Sequence, residues 1–126
     1  MKNIIFLICI GFVICTAFII PPTDYRDTYV GTYFCSSKCQ SLNSNYSSIN
    51  YYNDTITISV TKNIADSILN ISIHGIAHPV KLKNGKMYSY QPGTQNQGKF
   101  FSTDSIAFSI SANHVPNGCS YKGKKQ

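Results

Sequence analysis

The sequence predicts an all-β fold: a single antiparallel meander of about eight strands, closed or nearly closed into a small barrel, with a small β-sandwich as the alternative. Three observations carry this. Every polar/apolar alternation after residue 22 has a period of two, and no helical periodicity competes with it. Ile, Thr, Ser, Tyr and Asn dominate the chain, which is the composition of strands joined by polar turns. Asn84-Gly85 stands between two alternating runs, and Asn-Gly is the strongest short-range signal for a hairpin.

Residues 1–22 read as a secretory signal peptide. Lys2 supplies the positive start, Ile4 to Ile20 is an uncharged and mostly apolar run, and Pro21-Pro22 ends it. Ala17 is the small residue for a cleavage site. An uncleaved N-terminal anchor is the first alternative, because the run just reaches the ~17-residue lower limit for a membrane span. Lipid attachment at Cys15 is the second, although Ile14 before it is not small and the residues after it stay apolar. Cleavage removes Lys2 alone, leaving ten basic residues against five acids, a net charge of +5. That charge permits attraction to anionic surfaces and acidic polymers. Export excludes work on nucleic acids, and contact with a membrane is expected only through an uncleaved or lipidated N-terminus. The mature chain keeps Cys35, Cys39 and Cys119, which in an oxidising compartment predicts one disulfide and one leftover thiol.

Residues 23–28 read as a linker with Asp24, Arg26 and Asp27 exposed, and residues 29–126 as the β domain. Tyr29 to Cys35 is the first strand. Ser36 to Asn53 reads as a long polar loop, held to the body by Tyr46, Ile49, Tyr51 and Tyr52. Thr55 to Thr61 alternates without a break, with Ile56, Ile58 and Val60 inward. Ser67 to His74 follows, with Leu69, Ile71 and Ile73 inward and Ile68 on the wrong face. The Asn84-Gly85 turn then fixes a register. Lys83 faces Lys86, Leu82 faces Met87, Lys81 faces Tyr88 and Val80 faces Ser89. Val80, Leu82 and Met87 point inward, and Lys81, Lys83, Lys86, Tyr88 and Tyr90 point outward. Pro92 to Gly98 reads as a loop. Lys99 to Ser102 and Ser105 to Ala112 form a second hairpin around Thr103-Asp104, with Phe101 opposite Ile106 and Ile106, Phe108 and Ile110 inward. Cys119 to Lys125 is the last strand.

If the barrel shuts, the last strand lies antiparallel to the first. The end of the first strand, at Cys35, then meets the start of the last, at Cys119, with Tyr33 by Tyr121 and Gly31 by Gly123. A Cys35–Cys119 disulfide is therefore the expected bond, with Cys39–Cys119 as the alternative and Cys35–Cys39 as a third pairing. A bond closing so much of the chain stabilises it by about 4–5 kcal/mol on the chain-entropy account.

Candidate chemistry is sparse. His74 and His78 are four residues apart, but Gly75 and Pro79 rule out a helix that would bring them together, and His114 lies in a distant turn. No metal or other cofactor is expected. No Gly-x-Ser-x-Gly elbow occurs, Glu is absent, and no Asp adjoins a His, so no enzyme is expected. Asn45, Asn53 and Asn70 begin Asn-x-Ser/Thr sequons, which matter only in a eukaryotic host. The outward Lys81, Lys83, Lys86, Tyr88 and Tyr90, with Lys122, Lys124 and Lys125, form basic-aromatic stripes suited to glycans or anionic envelope components. The same lysines also guard edges against sheet-to-sheet pairing. The inward residues are mostly Ile, Leu, Val, Met and Phe, which predicts a packed interior over a ligand cavity.

Tyr29-Val30-Gly31-Thr32-Tyr33, opening a short exported meander, resembles the Gly-x-Trp start of lipocalin-like (calycin) barrels, with Tyr33 in the place of the Trp. The chain also resembles small exported bacterial proteins of this layout. The resemblance implies a carrier of a small apolar ligand in the barrel interior. The residues themselves point to a non-catalytic exported binding or structural module of the cell envelope, whose partner is an envelope component that no motif names.

Overall fold

The computed structural model describes residues 23–43, 45, 48–112 and 117–126. Residues 1–22, read as a signal peptide, together with Tyr46 and His114, lie outside the described residues. Eight antiparallel strands follow one another round a closed barrel, each paired with its neighbours in sequence and the last with the first. They are β1 (Gly31–Leu42), β2 (Ile49–Lys62), β3 (Ile68–Ile73), β4 (Ile76–Lys83), β5 (Lys86–Ser89), β6 (Thr94–Ser102), β7 (Ser105–Ala112) and β8 (Gly118–Lys125). No helix among the described residues is long and apolar enough to cross a membrane.

The central hairpin has the predicted register. Val80, Lys81, Leu82 and Lys83 pair with Ser89, Tyr88, Met87 and Lys86. Asn84 and Gly85 take φ of 51° and 72°, as a type I′ turn requires at both central positions. Val80, Leu82 and Met87 are buried, while the lysines and tyrosines of the other face are exposed. The core gathers the inward residues of the other strands around them, including Tyr33, Ile58, Leu69, Ile71, Ile106 and Phe108.

The first and last strands meet differently from the expectation. β1 does not stop at Cys35. Its alternation of buried and exposed residues runs on through Ser37 and Cys39 to Gln40, the strand ends at Leu42, and β2 begins at Ile49. Most of the expected loop is therefore a two-stranded ribbon, and Tyr51 and Tyr52 stand exposed on it instead of packing on the body. The longer strand moves the closure by four residues. Cys119 pairs with Cys39, Tyr121 with Ser37, and Gly123 with Cys35. The disulfide is accordingly Cys39–Cys119, not Cys35–Cys119, and Cys35 is a buried free thiol.

The presumed linker is the barrel's plug. Asp24 accepts a hydrogen bond from the Arg26 backbone N–H and caps a single 3-10 turn, Tyr25–Thr28. Arg26 is buried, not exposed. Its guanidinium donates to the carbonyls of Asn63, Ala65 and Ile68 at 2.8–3.1 Å and to the Asp24 carboxylate at 2.7–3.0 Å. A buried guanidinium is tolerable only with its donors satisfied in this way. Ile68, outward by alternation, is buried beside it. Tyr29 follows, stacked on Phe100 with ring centroids 4.3 Å apart, and its carbonyl accepts from the Tyr33 hydroxyl at 2.8 Å.

β6 also starts earlier than expected, at Thr94, so most of the expected Pro92–Gly98 loop is strand. A bulge follows in it. Ser102 pairs with Ser105 across the turn, but Phe100 pairs with Ile106, leaving Phe101 as the extra residue. Phe100 enters the core and Phe101 is turned out, 53 % exposed.

Candidate functional site

The strand registers bring residues from six strands into one line on the outer face. Lys83, Lys86, Lys99, Ala107, Lys122 and Ser36 lie opposite one another in turn across β4, β5, β6, β7, β8 and β1. A second line beside it runs Gln97, Ser109, Ser120, Lys38 across β6, β7, β8 and β1. Since period-two alternation keeps each line on one face, these side chains share the outside of the barrel. All of them except Lys83 line a groove of about 850 Å³. Its small lining side chains are Ala107, Ser109 and Ser120, and its long ones include Lys38, Lys86, Tyr88, Lys99 and Lys122.

Of the residues singled out for surface contact, Lys86, Tyr88 and Lys122 belong to this groove. Lys83 extends its lysine line on the neighbouring strand, and Lys81 lies opposite Tyr88. Tyr90 is exposed just beyond the end of β5. Lys125 is spent on structure, donating to the Thr28 carbonyl at 3.3 Å. Lys38 and Lys99 are the groove residues that sequence reasoning missed. The Ser- and Asn-rich composition around Lys38 reads as loop, although Cys35-Ser36-Ser37-Lys38-Cys39 continues the alternation of β1. Lys99 falls in a predicted strand, but its place beside Lys86 follows only from the β5–β6 pairing.

The turned-out Phe101 organises two of these lysines. Lys99 Nζ lies 4.2 Å and Lys122 Nζ 6.0 Å from its ring centroid. Both are within cation–π range, so one ring holds two ammonium groups near the groove.

The ion pairs of the described residues lie away from the groove. Lys62 Nζ reaches Asp27 at 2.6 Å and Asp24 at 3.6 Å, and Arg26 pairs with Asp24 and, more distantly, Asp66. Hydrogen bonds from Arg26 hold the Asp24 carboxyl down at about 2. Asp104 sits in the β6–β7 turn, where the Ser102 and Ser105 hydroxyls donate to it and lower its pKa. Among the described residues, ion pairs involve no cation other than Arg26 and Lys62, so the groove lysines have no acidic partner.

The remaining candidates lie apart. His74 is exposed in the β3–β4 turn, and His78 is half-buried on β4, where burial pushes its imidazole pKa down. Among the described residues no three His, Cys or Asp side chains are placed to hold a metal ion. Asn45 and Asn53 are exposed, whereas Asn70 accepts from Asn63 at 3.0 Å. Inside the barrel, Ile56, Ile58, Leu82, Met87 and Phe108 are at most 8 % exposed. A ligand-sized void against them would leave them accessible from within. The chain matches no protein-family model, and no curated protein and no solved structure matches it either.

Proposed function

We propose that this protein is a non-catalytic exported module of the cell envelope that binds an anionic component through the groove on β5, β6, β7, β8 and β1. One observation carries the reading: lysines from four strands converge on a single groove, and among the described residues no Asp pairs with any of them. Like charges directly opposite on a sheet are destabilising, so a cluster of this kind is a cost to the fold that a bound anion offsets. The Cys39–Cys119 bond supports an oxidising compartment, and so export. The filled interior favours this surface over a lipocalin-like carrier of a small apolar ligand.

The test is co-sedimentation of the mature protein with envelope fractions of its own host. The wild type is expected to pellet and to be released by salt. The triple variant Lys86→Gln, Lys99→Gln, Lys122→Gln is expected to stay in the supernatant. Equal pelleting of both would remove the groove from the function.

A further inference from the structure

Resting on that reading, we infer that the ligand is a linear anionic glycan, a chain of sugars bearing carboxylate or sulfate groups, lying across the strands. Three features of the groove recognise three features of such a chain. The first is spacing. Lys86 and Lys122 are separated by the strands carrying Lys99 and Ala107, three strand spacings or about 14 Å. Their strand positions lie along a line across the sheet, which suits several anionic groups on one chain and not one isolated phosphate. Ala107, the small residue in that line, leaves room for the chain to lie close to the sheet.

The second feature is hydrogen bonding. Beside the lysine line stand the Gln97 amide and the Ser109 and Ser120 hydroxyls, a row of neutral donors and acceptors. Ser109 and Ser120 bond weakly to strand carbonyls, at 3.2 and 3.4 Å, and each hydroxyl oxygen keeps acceptor capacity for a sugar hydroxyl. The third is the half-exposed ring of Tyr88 at the β5 side, a flat face for the C–H face of a pyranose. An anionic bilayer needs only the first feature. It would also prefer a flat or protruding basic surface to a groove.

The experiment is calorimetric titration of the mature protein with a heparin-derived decasaccharide. Inorganic polyphosphate and vesicles of phosphatidylglycerol and phosphatidylethanolamine in equal parts serve as the other arms. The decasaccharide is expected to bind in low salt and to weaken as salt rises. Lys99→Gln together with Lys122→Gln should weaken it about tenfold or more, whereas Lys81→Gln should change it less than about threefold. Tyr88→Ala and Ser109→Val should each weaken the decasaccharide while leaving polyphosphate binding unchanged. Circular dichroism of each variant checks that the barrel is intact. If polyphosphate or vesicles bind as tightly and Tyr88→Ala affects no probe, the glycan is the wrong class while the anion-binding groove stands. If the decasaccharide does not bind, but envelope fractions still retain the protein through the same lysines, the glycan inference alone is overturned. If the lysine variants change neither, both readings fall.

Discussion

Cys39 lies directly opposite Cys119 across the seam between the first and last strands, and the disulfide joins them there. The two residues are 80 apart in sequence, so the bond removes a large loop entropy from the unfolded chain. On the chain-entropy account this is about 4–5 kcal/mol. Replacing both residues by Ser should lower the unfolding free energy by about 2–5 kcal/mol, read from denaturant melts. Peptide mapping of the oxidised protein should recover Cys39 and Cys119 in one linked pair and Cys35 alone.

Cys35, four residues earlier on the same face, is buried, and burial pushes its thiol up to about 11 from an ordinary 9.0. Thiol reagents at mildly alkaline pH should therefore miss it in the folded protein and label it after unfolding. The shift also sets a sign. The folded state holds the proton more tightly, so this contribution is complete below pH 9.0 and is lost as the pH rises towards about 11. Stability should fall across that window in the wild type and fall less in Cys35→Ala. Equal slopes would show that the thiol is not buried as described.

The choice between the two disulfides shows what was legible in the chain. Cys35 and Cys39 are an even number apart, so either can face Cys119 without breaking the alternation. Only the length of β1 decides between them, and Ser36 to Asn53, rich in Ser and Asn, looks like loop by composition. Tertiary pairing with β8 and β2 overrode that propensity. The central hairpin was legible because its turn and its alternation agree, and the meander followed from short connections. The bulge at Phe101 and the buried Arg26 were not. One depends on a register slip and the other on carbonyls contributed by residues about forty positions away. The groove was half legible, since alternation turns Lys86, Tyr88 and Lys122 outward, but Lys38 and Lys99 join them only once the strands are ordered.

Gly123 faces Cys35 at the same seam, and a Cβ there would meet the Phe34 carbonyl and stand 2.5 Å from the Cys35 sulfur. Backbone cannot give way as a flexible side chain can. Gly123→Ala should destabilise the protein by about 2–3 kcal/mol. The double variant Gly123→Ala with Cys35→Ala should recover only part of that, because the sulfur clash is relieved and the carbonyl clash is not. Denaturant melts of the three variants measure the split.

Gly85 takes φ 72° at the second position of the central turn. A β-branched residue resists that conformation, so Gly85→Val should cost about 1–2 kcal/mol or more, while Gly85→Asn should cost less. Unchanged melting of the Val variant would contradict the type I′ turn.

Asp24 holds the Arg26 plug, with its carboxyl lowered to about 2 from an ordinary 3.8. The folded state binds that proton less tightly than the unfolded chain. Its stabilisation is therefore full above pH 3.8 and disappears as the pH falls towards about 2. Asp24→Asn should melt lower than the wild type at neutral pH, and the two curves should converge at the acid end of that window. A gap that persists there would mean that the carboxylate charge is not what holds the plug.

The lysine line itself predicts a salt effect on stability. Lys86 lies between Lys83 on one side and Lys99 on the other, so its removal relieves two like-charge pairs at once. Each such pair costs a few tenths of a kcal/mol, roughly, and Thr is the better strand former. Lys86→Thr should therefore raise the melting temperature at low ionic strength, by an amount equivalent to about 0.5 kcal/mol or more. Lys81→Thr gains the same strand propensity but lies opposite Tyr88, so it serves as the control. Added salt screens exposed charges, and should raise the wild-type melting temperature while closing its gap to Lys86→Thr. A polyanion that occupies the groove should do the same at far lower concentration, because it brings its charges to the lysines in register. If Lys86→Thr is no more stable than Lys81→Thr at low salt, the line carries no repulsion for a ligand to relieve.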